Sequence, residues 1–295
     1  MSAHRRGVWL AVAAYGLWGV LPVYWKLLQR VPAPEILAHR ILWSLVFLTA
    51  LVGVRHEWRT LATAFRPAHL RIYAAAAGLL AVNWLTFIWA VNTGRIVETS
   101  LGYFINPLVS VALGVLVLRE RLRRGQAGCV ALAGAAVVWL AAREGAPPWV
   151  ALVLAGSFAL YGLLKKQAPL PALPGLVLET ALLALPALIF WGALEAGGRA
   201  AFGHAGPRLT LLLGFTGVVT ALPLLLFAGA ARQVSLTTLG LLQYLAPSLQ
   251  LLIGVLVFGE PFGRDRALAF ALIWTALALY WLEGVWRARR LTGSP

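Results

Sequence analysis

The chain has 295 residues, of which 61% are hydrophobic and 12% charged; its mean hydropathy is +0.82 and its formal net charge +15. A soluble domain carries about a quarter charged residues, so this composition excludes an ordinary soluble fold. The charge does not signal a nucleic-acid partner either, because most basic residues fall between apolar runs of roughly 18 to 24 residues, each long enough to cross a bilayer as a helix.

Ten such spans are expected in chain order, at 7–28, 34–54, 71–92, 97–118, 124–142, 148–165, 173–195, 209–231, 235–258 and 267–286. A β-barrel is excluded because alternating ten-residue patterns are missing. Span one follows Arg5 and Arg6 without a small-residue cleavage site, so it is read as retained, not as a signal peptide. It ends at Lys26, a residue able to snorkel to the interface. Span two opens with Glu35, His39 and Arg40, and ionisable groups at this depth are functional candidates by default, usually paired. Span three carries Asn83 and Trp84. Asn83 either ties helices together or faces a cavity.

Span four opens with Glu98 and continues through Tyr103 and Asn106 to Pro107 near its middle. Proline removes the backbone donor that would serve Tyr103, and in lipid that carbonyl needs another partner or a wet cavity. Span five holds the only cysteine, Cys129, which excludes an intrachain disulfide, and the ladder Ala127, Ala131, Ala135. Small residues four apart allow close helix approach, within the bundle or at a subunit interface. Span six contributes Tyr161 and is followed by Lys166, while span seven carries Glu179 about two turns in. Span nine presents Gln243 and Tyr244 before Pro247.

These features repeat. Lys26 returns as Lys166, Pro34 as Pro174, Pro107 as Pro247 and Glu120 as Glu260, all at a shift of 140 residues. Residues 1–142 and 148–290 therefore form two five-span units, and an odd span count inverts the second in the bilayer. Inverted repeats with paired helix interruptions near mid-membrane are the best sequence pointer to a transporter site. The expected substrate-binding set is Asn83, Trp84, Tyr103, Asn106, Tyr161, Gln243 and Tyr244, with helix breaks at Pro107 and Pro247. Lys26, Glu35, His39, Arg40, Glu98 and Glu179 form the gating or coupling set. Glu35 with Arg40, and Glu98 with Lys26, are the candidate gate pairs at the outer face. Protonation of Glu179 or His39 is the route by which a proton gradient could couple.

Assigning alternate loops to the side of the N-terminus collects sixteen lysines and arginines there against eight opposite, with Arg40 left inside span two. That bias places both termini in the cytoplasm. The chain shows no Walker motif, GxSxG, HExxH or paired-carboxylate site, and its histidines lack metal-ligand spacing, so neither an enzyme nor a cofactor or metal is expected. The expected partners are the lipid bilayer and a small-molecule substrate, not nucleic acid, and a homodimer stays open. The alternative function is a non-transporting membrane scaffold or regulator.

The run Glu35-Ile-Leu-Ala-His-Arg-Ile-Leu-Trp-Ser44 resembles the second span of RarD-like proteins. So do Leu101-Gly-Tyr-Phe-Ile-Asn-Pro107, Leu239-Gly-Leu-Leu-Gln-Tyr-Leu-Ala-Pro247, and the opening Tyr15-Gly-Leu-Trp-Gly19 with Pro22-Val-Tyr-Trp-Lys26. These belong to the EamA-type branch of the drug/metabolite transporter superfamily, and the resemblance spans nearly the whole chain. It implies two inverted five-helix repeats around a cavity lined by spans one, three, four, six, eight and nine, with five and ten peripheral. It also implies export or exchange of small metabolites or drug-like compounds across the cytoplasmic membrane.

Overall fold

The computed structural model describes residues 3–64, 66–92, 96–144, 149–258, 263–265, 267–269, 271–272, 274–276, 278–279 and 282–283. All regular structure among them is helical: α1 (Ala3–Leu27), α2 (Ala33–Val54), α3 (Trp58–Ala64), α4 (Pro67–Asn92), α5 (Ile96–Leu116), α6 (Arg124–Glu144), α7 (Trp149–Gln167), α8 (Ala172–Ala196), α9 (Pro207–Ala231), α10 (Leu236–Leu242) and α11 (Leu245–Leu256). Eight helical stretches are long and apolar enough to cross a membrane, α10 and α11 counting together as one. Gly102–Leu116 and Ala267–Ala276 form shorter apolar helices. The expected last span, 267–286, lies only partly within the described residues.

The helix ends follow local chemistry. Proline at the first helical positions opens α2 and α9, where a missing N–H costs nothing. Ser235 caps α10 by accepting from the Thr238 N–H at 3.0 Å. Short α3, in the charged 55–70 connection, was not expected from the apolar pattern.

The distribution of side chains is that of a membrane bundle. Leu116, Ile189 and Leu211 are exposed, whereas Glu35, Glu179 and Thr216 are completely buried. Lipid tails are as apolar as leucine, so helix association rests on van der Waals packing and interhelical hydrogen bonds. Both appear where α2 meets α9. A Cβ on Gly217 would overlap the Trp43–Ser44 backbone, and Ser44 Oγ donates to the Gly217 carbonyl at 3.2 Å. Similarly, a Cβ on Gly240 of α10 would lie 2.8 Å from the Pro107 carbonyl oxygen of α5.

The Ala127, Ala131, Ala135 ladder faces outward. The buried face of α6 is instead Cys129, Ala133, Ala136 and Val137, packed in one cluster with Ala269 and Ala276. Close packing within this chain is therefore made by the neighbouring stripe, not by the ladder.

The expected break at Pro107 is not a break. Helix α5 continues through the proline as a single element. In the second copy the interruption falls at Gln243–Tyr244, between α10 and α11, and Pro247 sits in the first turn of α11. There the lost donor matters least, since first-turn N–H groups have no intrahelical partner.

Candidate functional site

The end of the bundle where α1 begins is the near end, and the end where it finishes is the far end. Arg40 projects from the far half of α2 into the interior. Its Nε donates to Thr220 Oγ1 of α9 at 3.1 Å. The guanidinium carbon lies 4.7 Å from the Trp25 ring centroid of α1 and 4.6 Å from that of Trp84 on α4. Tyr24 and Tyr103 are close enough to interact electrostatically with it. Among the described residues no carboxylate lies within 4.0 Å of the guanidinium. An arginine at mid-membrane costs about 2.5–3.5 kcal/mol on insertion scales, and desolvated cation–π contacts return roughly 1–2 kcal/mol each. Two indoles and one hydroxyl thus hold the cation without neutralising it.

Glu35 is not the partner of Arg40, contrary to expectation. Its Oε1 accepts the backbone N–H groups of Ala201 at 2.6 Å and Phe202 at 3.2 Å, pinning the α8–α9 connection to α2 at the far end. His39, one turn along, places Nε2 3.8 Å from the same oxygen, and its ring stacks on Phe202 at 4.8 Å with Trp191 edge-on at 5.9 Å. Oxygen Oε2 of Glu35 and both His39 nitrogens have no hydrogen-bond partner among the described residues. The carboxylate serves the nearer backbone amides because i and i+5 positions diverge on a helix, while i and i+4 align. Lys26 sits over the Phe258 ring at 5.5 Å, and the Glu98 side chain lies outside the described residues.

Toward the near end, a second cation is fully matched. Lys165 Nζ donates to Glu179 Oε1 at 2.9 Å, and Tyr161 donates its hydroxyl proton to Oε2 at 3.2 Å. The ammonium also lies 5.5 Å from the Tyr73 ring and 5.8 Å from the Tyr161 ring. Tyr73 in turn accepts the Leu170 N–H at 3.1 Å, and Arg232 donates to the Leu170 carbonyl. Glu179 is thus placed with Lys165, and Tyr161 is placed as a ligand of that pair.

A polar latch links α5, α7 and α10 at the near end. Glu120 accepts the Leu236 N–H at 2.8 Å, the Thr237 N–H at 3.1 Å and the Thr237 hydroxyl at 2.9 Å, at the start of α10. Lys166 lies 3.8 Å from Glu120 and donates to the Val234 carbonyl at 2.7 Å. Glu120 and Lys166 here hold the start of α10 and the connection before it, so moving that segment away from α5 and α7 would break these hydrogen bonds together. The Glu120–Lys166 contact joins α7 to the end of α5.

The remaining expected residues divide. Asn83 donates to the Leu154 carbonyl and to Ser157 Oγ, both at 3.0 Å, which ties α4 to α7. Asn106 Oδ1 accepts from Ser110 Oγ at 3.3 Å within α5. Gln243 is buried at the end of α10, while Tyr244 is buried beside Phe104 with its hydroxyl lacking a partner among the described residues. Trp84 and Tyr103 join Arg40. Sequence reasoning missed Trp25, Thr220, Lys165 and Tyr73. Trp25 looks like an interfacial belt residue and Lys165 like a snorkelling helix end; only the three-dimensional partners separate them from those roles. Among the described residues, no group of three His, Cys, Asp or Glu is placed to hold a metal.

Comparisons with known proteins identify the family and the fold. Residues 5–142 match the model of the EamA-like transporter family. The chain is 47% identical over 290 residues to protein RarD of Streptomyces exfoliatus, covering 98% of this chain and 92% of that protein. It is 46% identical to an uncharacterized transporter of Pseudomonas aeruginosa, covering 99% of this chain and 98% of the relative. A solved crystal structure superposes with a TM-score of 0.70 over 92% of this chain and 96% of its own, at 20% identity, a likeness of fold alone.

Proposed function

This chain belongs to the EamA-like transporter family, in its RarD-like group, and on that premise we propose that it is a secondary transporter or facilitator exporting small metabolites or drug-like compounds across the cytoplasmic membrane by alternating access. Its full architecture in this reading is ten spans in two inverted repeats, residues 1–142 and 148–290, with both termini cytoplasmic. The near end is then the cytoplasmic end.

The observation that carries the proposal is the pairing of helix contacts. At the 140-residue shift, α1, α2, α4 and α5 correspond to α7, α8, α9 and α10–α11. Contact of α1 with α9 is answered by α7 with α4, α1 with α11 by α7 with α5, and α2 with α9 by α8 with α4. The α2–α8 and α5–α10 contacts map onto themselves. A two-fold relation between the halves would produce this pattern; in the ten-span topology its axis lies in the membrane plane, and such repeats exchange conformations to alternate access. The latch of Glu120 and Lys166 has its sequence counterpart in Glu260 and Lys26, on the opposite side in this topology. Lys26 already rests against Phe258, two residues from Glu260, which lies outside the described residues. Formation of one latch with release of the other is the gating cycle that we propose. The outward ladder of α6 supports pairing of two copies in a homodimer.

Purified protein in proteoliposomes tests the function through flux and thermal stabilisation across a broad panel of cationic, neutral and anionic solutes, since a ligand of the folded state raises its stability. Solute-dependent stabilisation with saturable flux is the expected result. Neither for any solute, with cysteines placed at Asn83, Tyr103 and Tyr244 inaccessible to label from both sides, would establish the scaffold instead.

A further inference from the structure

We infer that Arg40 is the anchor for the charged group of the transported solute, and that this solute is a small organic monoacid whose carboxylate docks edge-on against the guanidinium. The inference rests on the transporter reading above and narrows its substrate class.

A guanidinium offers five N–H donors in one plane. At Arg40 one of them, on Nε, is used by Thr220 Oγ1 at 3.1 Å. No described residue accepts from the four donors on the two Nη atoms. The ring centroids of Trp25 and Trp84 lie 4.7 and 4.6 Å from the guanidinium carbon. Indoles this close occupy approaches that a solute would otherwise use and leave the Nη edge for a polar partner. A planar carboxylate fits that edge with two parallel hydrogen bonds, a geometry that a lysine ammonium does not offer.

Local pairing of charges narrows the class further. The other interior cation, Lys165, has its own carboxylate at 2.9 Å and needs no ligand. Glu35 is engaged by two backbone amides at the far end. Arg40 is therefore the interior cation with no described carboxylate in contact, a place that a monoanionic solute would fill and at which a cationic solute would be repelled. A phosphate dianion would call for a second free cation close to Arg40, and the described residues place none there. If the arginine served only to join α2 to α9 through Thr220, a neutral donor such as glutamine would do so without the cost of burying a charge.

The test uses the full chain in lipid nanodiscs, with thermal unfolding and tryptophan fluorescence followed against three shape-matched probes: benzoate, benzamide and benzylamine. Acetate and 3-phenylpropionate extend the acid series. Acids are expected to stabilise the protein and benzamide to bind on the order of a hundredfold more weakly, the scale of losing a buried charged partner. Arg40→Gln is expected to abolish the preference for acids, and Arg40→Lys to weaken acid binding about tenfold by removing the planar fork. Should Arg40→Gln not purify as a monodisperse protein, Arg40→Lys and Trp84→Phe carry the same test. Equal binding of benzoate and benzamide, or acid binding untouched by the Arg40 variants, overturns the inference. So does flux of neutral or cationic solutes with no response to any acid, an outcome that leaves the transporter reading standing. Absence of binding and flux for every solute charge removes that reading and the inference with it.

Discussion

Two corners of the molecule occupy equivalent places in the sequence repeat and solve the same problem in opposite ways. Trp25 and Lys165 are 140 residues apart, as are His39 and Glu179. In the second half the lysine at the end of α7 meets a carboxylate on α8 at 2.9 Å, and the pair is sealed under two tyrosines. In the first half an indole replaces the lysine, and the cation has moved to Arg40 on α2, where it meets aromatic faces and a hydroxyl. A charge with its counter-ion serves the protein's own structure. A charge held by rings and a neutral hydroxyl retains its affinity for an anion, and in the inference above it is the one offered to a ligand.

The contrast is sharpest in stability. Glu179→Leu leaves the Lys165 ammonium buried beside two tyrosines with no anion. Breaking a buried pair from one side costs about 3–5 kcal/mol, so a large drop in melting temperature or loss of monodisperse protein is expected. Adding Lys165→Met should recover most of that loss, because an apolar pair of similar volume is often as stable as the ion pair. Thermal melts of the two variants check this, and an additive double mutant would dissolve the distinction between the two corners.

The latch comes next in size. Glu120 accepts three hydrogen bonds at the start of α10 and faces Lys166. Glu120→Ala strips partners from two backbone donors, and bonds to a charged group are worth about 1.5–3 kcal/mol. The variant should lose roughly that much stability at the near end. A cysteine at Ser235 should then become more reactive to a membrane-impermeant thiol reagent than it is with Glu120 intact. Tyr73→Phe is smaller still. It removes one acceptor from the Leu170 N–H but keeps the ring beside Lys165, so about 1 kcal/mol is expected in the same melts.

Sequence periodicity located the apolar helices to within a few residues, since lipid demands long unbroken stretches and turn residues end them. Span two was expected at 34–54 and is found at 33–54; span eight was expected at 209–231 and is found at 207–231. Depth was legible too, in that Glu35, His39, Arg40 and Glu179 all lie inside the bundle. Partners were not. Whether Glu35 meets Arg40 or a loop amide depends on how α8 and α9 close over α2, and nothing within span two encodes that. The helix interruption shows the same limit. Pro107 and Pro247 look alike in the sequence, yet α5 runs through one while the second half breaks at Gln243–Tyr244, three to four residues before the other. Proline removes a donor in both places, and tertiary packing decides where the chain bends.

The smallest stability change is expected at the residue with the largest functional one. Arg40→Met removes a cation that has no protein carboxylate to orphan among the described residues, and it keeps most of the side-chain volume between Trp25 and Trp84. The lost cation–π and Thr220 contacts are offset by relief of the cost of holding a charge in lipid. The melting temperature should therefore move by the equivalent of about 1 kcal/mol or less, in either direction, while saturable flux falls to background. Flux and melting measured on one preparation separate the two. If Arg40→Met unfolds the protein as Glu179→Leu is expected to, the two cations are equally structural and the contrast between the corners fails. If stability holds and flux is lost, the arginine is kept in the bilayer for what it binds.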